Sequence, residues 1–309
     1  MITSLFRKST PLNYSLVILG IVAFGLMYFG STNTLPQKSP SILYFIVDLA
    51  LLYAALFITN FIAKKNALSK DSAYTAFFYL LILWVFPGSY LSTSLLCAHF
   101  FILLSMRRLV SLHTMKHAKE KLFDASLWVF VASLFYFWSI LFIVLVYISI
   151  LFHTARDYRS WFLPILAFFT VALIALFGTY FWNFSWLENL QQQAQYSTTF
   201  SFDYNQLPSL LVMCYLAIAI LAVFSMVIAI ANKPLLQHSS YKKIVSAFVI
   251  GLGIYALAPV KSSELMLFTL SPLAIIFTSH IEAMTGKWQK ELLLFALLFG
   301  SIAAFVFQL

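Results

Sequence analysis

Charged side chains are scarce in this sequence. They make up 9% of its 309 residues, whereas soluble globular domains carry about 25%. A chain with so few charges cannot cover a folded surface that faces water, so a soluble enzyme, a nucleic-acid-binding domain and a disordered chain are excluded. Cysteine is scarce too. Cys97 and Cys214 both lie within long apolar runs, which excludes a disulfide-stabilised scaffold.

Several catalytic motifs are also absent. The sequence contains no G-x-x-x-x-G-K-[ST], so it has no P-loop for a nucleotide. It contains neither G-x-S-x-G nor H-E-x-x-H, so the common hydrolase and zinc-protease mechanisms lack their residues. The aspartate-rich motifs of enzymes that act on prenyl chains are missing as well. The sequence is therefore more informative about architecture than about chemistry.

Apolar residues are abundant instead: they make up 62% of the chain, and the mean hydropathy is +0.92. At about 20 residues per membrane-spanning helix, eleven spans need roughly 220 residues, which agrees with this content. The alternation of a β-barrel is absent, so we predict an all-α, polytopic transmembrane helical bundle, a single integral membrane domain over residues 1–309. The clear spans are 14–30, 41–63, 161–182, 209–231, 244–258, 264–285 and 291–309.

Two further apolar stretches decide the topology. Residues 73–106 contain the helix-breaking pair Pro87-Gly88, and residues 125–153 would measure about 43 Å as one helix, against a hydrocarbon core of about 30 Å. If both are hairpins of short segments, the chain has about eleven membrane segments and 17 of its 19 basic residues fall on one side. If 125–153 is a single span, the split is 11 to 8. The positive-inside rule therefore favours two hairpins, spanning or re-entrant, with the N-terminus cytoplasmic and the C-terminus periplasmic.

The loops of this topology differ in character. The cytoplasmic segment 107–124 is the most basic, and its apolar residues recur near helical spacing, which predicts an amphipathic helix at the membrane surface. Its basic residues would bind anionic lipid headgroups or, alternatively, a cytoplasmic partner; they are Arg107, Arg108, Lys116, Lys119 and Lys121. The longest periplasmic loop is 183–208, which contains three consecutive glutamines and is either a lid or a simple connection.

Few ionisable residues lie within the predicted spans, where a charge is costly. Asp48 lies in the outer half of the second span, Lys261 in the outer loop before the tenth, and Glu264 at the start of the tenth. We expect Asp48 to have a partner or to face a wet cavity, with Lys261 as the natural partner. The pair is either a structural link between helices or a substrate site, in which Asp48, Lys261 and Glu264 are the candidate catalytic residues.

A metal site is the weaker alternative. His113 and His117 are four residues apart, a spacing that places two imidazoles on one face of a helix. His153 and His280 also lie near the inner boundary, so a four-histidine iron cluster like that of membrane-bound carotenoid-cleaving oxygenases is conceivable. The sequence pattern of those oxygenases is not present, and a basic surface explains the histidines more simply. We therefore expect neither a metal nor a cofactor.

Parts of the sequence resemble an uncharacterised family of inner-membrane proteins of roughly 300 residues from Bacteroidota. The resemblance rests on the opening residues 1–14, on Arg107-Arg108-Leu109, and on the stretches 121–125 and 132–136. It extends over most of the chain. It implies a multi-pass protein of the bacterial inner membrane, and it brings no established activity with it.

A second resemblance is to multispanning glycosyltransferases that use polyprenyl-phosphate sugars. The segment 261–264, which begins with Lys261 and ends with Glu264, is followed by the kinked sequence 270–274, and this is similar to a late helix of those enzymes. The resemblance implies a catalytic carboxylate on the outer face, and Asp48 is the residue that would have this role. The first outer loop, 31–40, departs from their pattern because it contains no acidic residue.

These observations favour a non-enzymatic subunit or assembly factor of a cell-envelope complex. The expected partners are the lipid bilayer, its anionic headgroups and other envelope membrane proteins, without nucleic acid. The alternatives are a glycosyltransferase-like enzyme that acts on a polyprenyl-linked sugar at the periplasmic face, a transporter of a small or lipidic substrate and, with least support, the histidine–iron oxygenase.

Overall fold

The computed structural model describes residues 2–33, 42–181, 190–197 and 207–309. Within these ranges every regular element is helical. The α-helices are α1 (Ile2–Phe6), α2 (Pro11–Asn33), α3 (Ile42–Lys65), α4 (Tyr74–Val85), α5 (Thr93–Val110), α6 (Ala118–Phe135), α7 (Ile143–His153), α8 (Tyr158–Phe181), α9 (Leu207–Ala229), α10 (Leu235–Leu257), α11 (Leu267–Ala283) and α12 (Lys287–Val306). Short 3-10 helices lie at Pro87–Leu91, Ser111–Thr114, Phe137–Phe142, Ile230–Asn232 and Ser263–Met266.

The helices α2, α3, α5, α8, α9, α10, α11 and α12 are long and apolar enough to cross a membrane. Two further apolar helices, α4 and the segment Phe137–His153 that contains α7, are shorter. Helix α6 has four charged residues in its first two turns, followed by an apolar run. Together these elements form eleven segments in the described part of the chain. The prediction of an all-helical polytopic bundle is confirmed.

The helix ends that carry basic residues are joined to one another at one end of the bundle, here called the basic face. Lys119, at the start of α6, pairs with Asp157, just before α8, at 2.8 Å. The Lys70 N–H, just before α4, donates to the Glu282 carboxylate at the end of α11 at 2.9 Å. Following the helices from these ends places 17 basic residues at the basic face: Arg7, Lys8, Lys64, Lys65, Lys70, Arg107, Arg108, Lys116, Lys119, Lys121, Arg156, Arg159, Lys233, Lys242, Lys243, Lys287 and Lys290. Lys261 lies at the other end, called here the opposite face.

The stretch 73–106 is a hairpin. Helix α4 begins at the basic face, where the Ala73 N–H donates to the Phe6 carbonyl at 3.0 Å. It ends at the opposite face, where the Val85 carbonyl accepts a hydrogen bond of 3.0 Å from the side chain of Gln308, near the C-terminus. The 3-10 turn that begins at Pro87 then reverses the chain, because proline cannot donate a backbone hydrogen bond to continue α4. Helix α5 returns to the basic face.

The stretch 125–153 is a hairpin as well. Helix α6 rises from the basic face and ends at Tyr136, whose extended backbone (φ −144°, ψ 113°) stops the helix. A 3-10 turn follows, and α7 returns to the basic face, where Lys243 Nζ donates to Nε2 of His153 at 3.1 Å. A single span of 29 residues is therefore excluded.

The segment 107–124 is not one surface helix. Helix α5 runs on to Val110, a 3-10 turn and a bend follow, and α6 begins at Ala118. The bend is set by Met115 and His117, both of which have left-handed backbone conformations (φ 54° and 52°). The apolar residues that suggested an amphipathic helix are mostly inside the bundle: Leu109, Leu112 and Leu122 are fully buried, and only Met115 is exposed.

Helix α11 lies in the centre of the bundle, packed against α4, α9 and α10. Gly251 of α10 allows a close approach to α11, since a Cβ there would lie 3.2 Å from the carbonyl oxygen of Phe268. Helix α8 lies at the periphery, packed mainly on α6, and exposes large apolar side chains such as Phe169 and Phe177. Such a surface is stable where it meets lipid.

Candidate functional site

Two carboxyl side chains line one cavity at the opposite face. The cavity has a volume of about 450 Å³ and lies between α3, the start of α5 and the 3-10 turn Ser263–Met266. Asp48 comes from α3 and Glu264 from that turn; Tyr44, Phe45, Leu91, Ser92, Thr93, Ser94 and Leu95 complete the lining. We call this the carboxylate cavity.

The turn between α4 and α5 shapes this cavity. Because α4 ends early, the hydroxyl-bearing residues at the start of α5 face the Asp48 side chain instead of continuing a helix toward the membrane surface. Gly88, within the turn, lies directly against Glu264, and a Cβ there would be 2.9 Å from the Oε1 atom of that carboxylate. Only glycine therefore leaves room for Glu264 in its observed position.

The Asp48 carboxyl is deeply buried. Its residue is 1% exposed, and its Oδ1 atom has no hydrogen-bond partner among the described residues. Thr93 is its hydrogen-bonding neighbour on α5. Buried polar atoms are nearly always paired, and a carboxyl in lipid needs a proton, a cation or a hydrogen-bond donor. The free Oδ1 atom therefore marks Asp48 as a residue that can accept a hydrogen bond from a ligand.

The structure corrects the expectation that Lys261 pairs with Asp48. Among the described residues no salt bridge joins them. Lys261 Nζ instead donates to the carbonyls of Ser197, at 2.7 Å, and of Ala256. The Ser197 N–H donates to the Leu257 carbonyl at 3.3 Å, so the segment 190–197 is tied to the end of α10. Burial lowers the pKa of Lys261 from its ordinary value. Its observed role is that of a tether.

A second cavity adjoins the first, with Ser94 in the lining of both. It measures about 560 Å³, and we call it the glutamine cavity. Its other lining residues are Leu134, Phe135, Leu190, Gln192, Gln193, Gln195, Pro259 and Val260. The Gln193 side-chain oxygen accepts a hydrogen bond of 3.2 Å from the Phe137 N–H, which holds the glutamine segment over the second hairpin. Segment 190–197 of the loop 183–208 thus forms a wall of a polar site. Residues 183–189, Glu188 among them, and 198–206 lie outside the described residues.

The chemistry of the combined site is unusual for a membrane interior. Two carboxyls, three hydroxyls from residues 92–94 and three glutamine amides line it, and no lysine or arginine does so. The two carboxyls were predicted from the sequence, whereas Thr93 and Ser94 were not. The hydroxyl run Ser92-Thr93-Ser94 immediately after a Pro-Gly break was the signal available, because small polar residues beside a helix break in a membrane segment tend to line a cavity.

The basic residues of 107–124 are mostly engaged within the protein. Arg108 pairs with Asp124 at 3.0 Å, and the Arg107 guanidinium lies over the Phe61 ring, 4.5 Å from its centre. Lys121 Nζ donates to the Ser111 carbonyl at 2.9 Å. Lys119 forms the ion pair with Asp157 described above, and Lys116 is exposed. These contacts stabilise the turn between α5 and α6.

The histidines are dispersed. His113 lies in a 3-10 turn and bonds the Val110 carbonyl through Nδ1 at 3.1 Å, whereas His117 precedes α6 and bonds Glu120 at 3.0 Å. The two imidazoles therefore do not share one helix face. His99, buried in α5, bonds the Ser271 hydroxyl through Nε2 at 3.3 Å. Over residues 2–33, 42–181, 190–197 and 207–309, no three side chains of His, Cys, Asp or Glu form a group that could hold a metal ion.

The fold and this recessed polar site define a multi-pass, α-helical integral membrane protein. The chain belongs to DUF6427, a family of unknown function whose model matches residues 2–309. No curated protein and no solved structure matches the chain. The expectation of a membrane-protein family without an established activity is confirmed.

Proposed function

We propose that the protein binds a hydroxyl-rich ligand, the sugar part of a lipid-linked cell-envelope precursor, in the joined carboxylate and glutamine cavities. It serves as a non-enzymatic component of envelope machinery in a bacterial inner membrane. The observation that carries this proposal is the lining of the site by Asp48, Glu264 and three glutamine amides, without a basic side chain.

The lining favours hydroxyl groups over other ligands. Glutamine amides donate and accept hydrogen bonds, and carboxylates accept them, which matches the ring of hydroxyls on a sugar. The cavities would hold the sugar and leave the lipid phosphate outside, because two carboxyls face the carboxylate cavity and no lysine or arginine in the lining offsets them. Each cavity lies within the range of about 300–1,000 Å³ typical of small-molecule sites.

The distribution of basic residues between the two ends of the bundle supports an orientation of the protein in the membrane. The positive-inside rule assigns the face with 17 basic residues to the cytoplasm, which makes the opposite face periplasmic. A sugar carried on a polyprenyl lipid in the outer leaflet would then lie at the same depth in the membrane as the two cavities.

A glycosyltransferase-like activity is the second candidate, and the buried, unpartnered Oδ1 atom of Asp48 favours it. In that reaction an acceptor hydroxyl oxygen bonds to the anomeric carbon of the sugar. The bond from that carbon to the lipid phosphate breaks, and the phosphate leaves with the electron pair. Asp48 takes the acceptor proton, as a general base.

Thermal unfolding in lipid nanodiscs tests the binding proposal, with a polyprenyl-phosphate hexose and the free hexose as probes. Saturating ligand should raise the stability by about 2.7 kcal/mol at 100 times its dissociation constant. Asp48→Asn should weaken this effect, and Asp71→Asn, the same substitution at an exposed position of the basic face, is the matched control. Stabilisation by a divalent cation or an alkylamine, with none by either sugar, would overturn the proposal. Release of polyprenyl phosphate by the wild type but not by Asp48→Asn would identify the enzyme.

A further inference from the structure

A cleft at the basic face gathers four cationic side chains. It has a volume of about 500 Å³ and is lined by Arg7 at the end of α1, Lys70 before α4, and Lys287 and Lys290 in the first turn of α12. Among the described residues, no salt bridge involves any of these four. We call this the basic cleft.

The carboxylates near the basic cleft already have partners. Glu282, in its wall, accepts hydrogen bonds from the Lys70 N–H at 2.9 Å and from the Ser72 hydroxyl at 2.6 Å. Glu291, next to Lys290 on α12, accepts hydrogen bonds from the backbone N–H and the hydroxyl of Thr3. Four cations therefore line the cleft with one carboxylate, that of Glu282, which is already hydrogen-bonded, so the cleft is complementary to an anion.

An apolar groove lies farther along the same helices. It has a volume of about 230 Å³ and lies between α9 and α12, with α4 and α11 as its floor. Its lining is almost entirely hydrocarbon, and the Tyr215 hydroxyl at its edge is bonded to Thr269 at 2.7 Å. A groove of this kind at the level of the hydrocarbon core suits a lipid chain.

The basic cleft and the apolar groove lie along the same faces of α4 and α12. On α4, Tyr74 lines the basic cleft, and Phe78, one turn later, lines the apolar groove. On α12, Lys290 lines the cleft and Leu297 the groove, seven residues or about 10 Å farther along the same face. Trp288 is 80% exposed beside the cleft, as interfacial aromatic residues often are.

We propose that these two features form one binding site for a phosphate-bearing membrane lipid, with its headgroup in the basic cleft and one acyl chain in the apolar groove. A free anion would use only the cleft, and a second protein helix would leave the cations unmatched. The site lies at the other end of the bundle from the carboxylate cavity, so it is independent of the sugar-binding proposal.

Binding assays in detergent micelles test this site, with dioleoyl phosphatidylglycerol, dioleoyl phosphatidylcholine and inorganic phosphate as probes. Phosphatidylglycerol should bind saturably, and much more tightly than the other two. Lys287→Gln with Lys290→Gln should weaken it roughly 25-fold, because each lysine near an anionic headgroup contributes a factor of about five. Lys8→Gln with Lys116→Gln, which removes two basic-face charges outside the cleft, should leave the affinity unchanged.

The acyl chain has a separate control. A Cβ at Gly300 would meet nothing within 4 Å, so Gly300→Leu should fill the groove without disturbing the fold and weaken phosphatidylglycerol binding at least tenfold. Gly178 on α8 is equally unhindered, and Gly178→Leu should have no effect. Equal affinity in Gly300→Leu and wild type, equal affinity in the two lysine pairs, or phosphate binding as tight as that of the lipid would each overturn the proposal.

Discussion

Gly251 of α10 offers a direct test of the packing that supports the carboxylate cavity. A Cβ at this position would lie 2.8 Å from Cγ2 of Thr269 and 3.2 Å from the backbone oxygen of Phe268. Neither neighbour can move easily. The Thr269 side chain is fully buried, and its hydroxyl donates to the Met266 carbonyl at 2.7 Å, whereas Phe268 presents its backbone. Gly251→Ala should therefore push α10 and α11 apart.

The size of the effect follows from two opposing contributions. Overpacking of this kind costs about 1–3 kcal/mol, and replacing glycine by alanine inside a helix returns about 1 kcal/mol. Gly253, two residues later in α10, has nothing within 4 Å of its Cβ position, so Gly253→Ala receives the helix gain alone. Because the gain in helix stability is common to both variants, the difference between their free energies of unfolding gives the cost of the clash, about 1–3 kcal/mol.

The assay is unfolding of both variants in the same detergent, followed by helical circular dichroism. Glu264 lies just before α11, so Gly251→Ala should also weaken sugar binding, whereas Gly253→Ala should not. Agreement of the two variants in stability to within about 0.5 kcal/mol would show that α10 and α11 have room for a Cβ at Gly251, which contradicts the predicted clash.

Three further predictions concern other parts of the chain. Gly88→Ala would place a Cβ 2.9 Å from a carboxylate oxygen of the carboxylate cavity, so it should weaken ligand binding there while changing thermal stability by less than about 1 kcal/mol. Lys261→Gln should destabilise the tether to segment 190–197 by roughly 1–3 kcal/mol and speed its hydrogen exchange, since a charged donor is lost. Reporters fused after Gln308 and inserted at Ser111 should lie on opposite sides of the membrane, with Ser111 cytoplasmic.

Each of these three predictions has its own control. Gly30→Ala, in open space, should leave ligand binding at the wild-type level, and equal binding in Gly88→Ala would contradict the role of Gly88. Lys116→Gln should leave the exchange of segment 190–197 unchanged, and the same exchange rate in Lys261→Gln would rule out the tether. Reporter signals from the same side would contradict the two-hairpin topology.

The hairpins could be predicted from the sequence because their determinants are local or additive. The pair Pro87-Gly88 disfavours a continuous helix through its own backbone chemistry, and the distribution of basic residues depends only on counting. The placement of Asp48 toward the opposite face followed from its position in the second span. Such features do not depend on which helices touch.

The neighbours of Asp48 and the path of segment 107–124 could not be predicted in this way. Lys261 and Glu264 lie three residues apart, and only the turn between them decides which one faces α3. The spacing of Leu109, Leu112 and Leu122 fits a surface helix and a buried, broken connection equally well. The left-handed backbone at Met115 selects the second, and it depends on tertiary contacts that outweigh local preference.

The shortness of α4 also affects the wall of the carboxylate cavity. Its 12 residues reach about 18 Å, roughly 12 Å less than the hydrocarbon thickness. Eleven of these residues are buried, so protein makes up the difference: the 3-10 turn Pro87–Leu91 carries the chain on to the start of α5. Backbone groups at such a break are not all paired within a helix, and they need a cavity or a side chain to satisfy them. The early end of α4 therefore gives the cavity a wall that can form hydrogen bonds with a ligand.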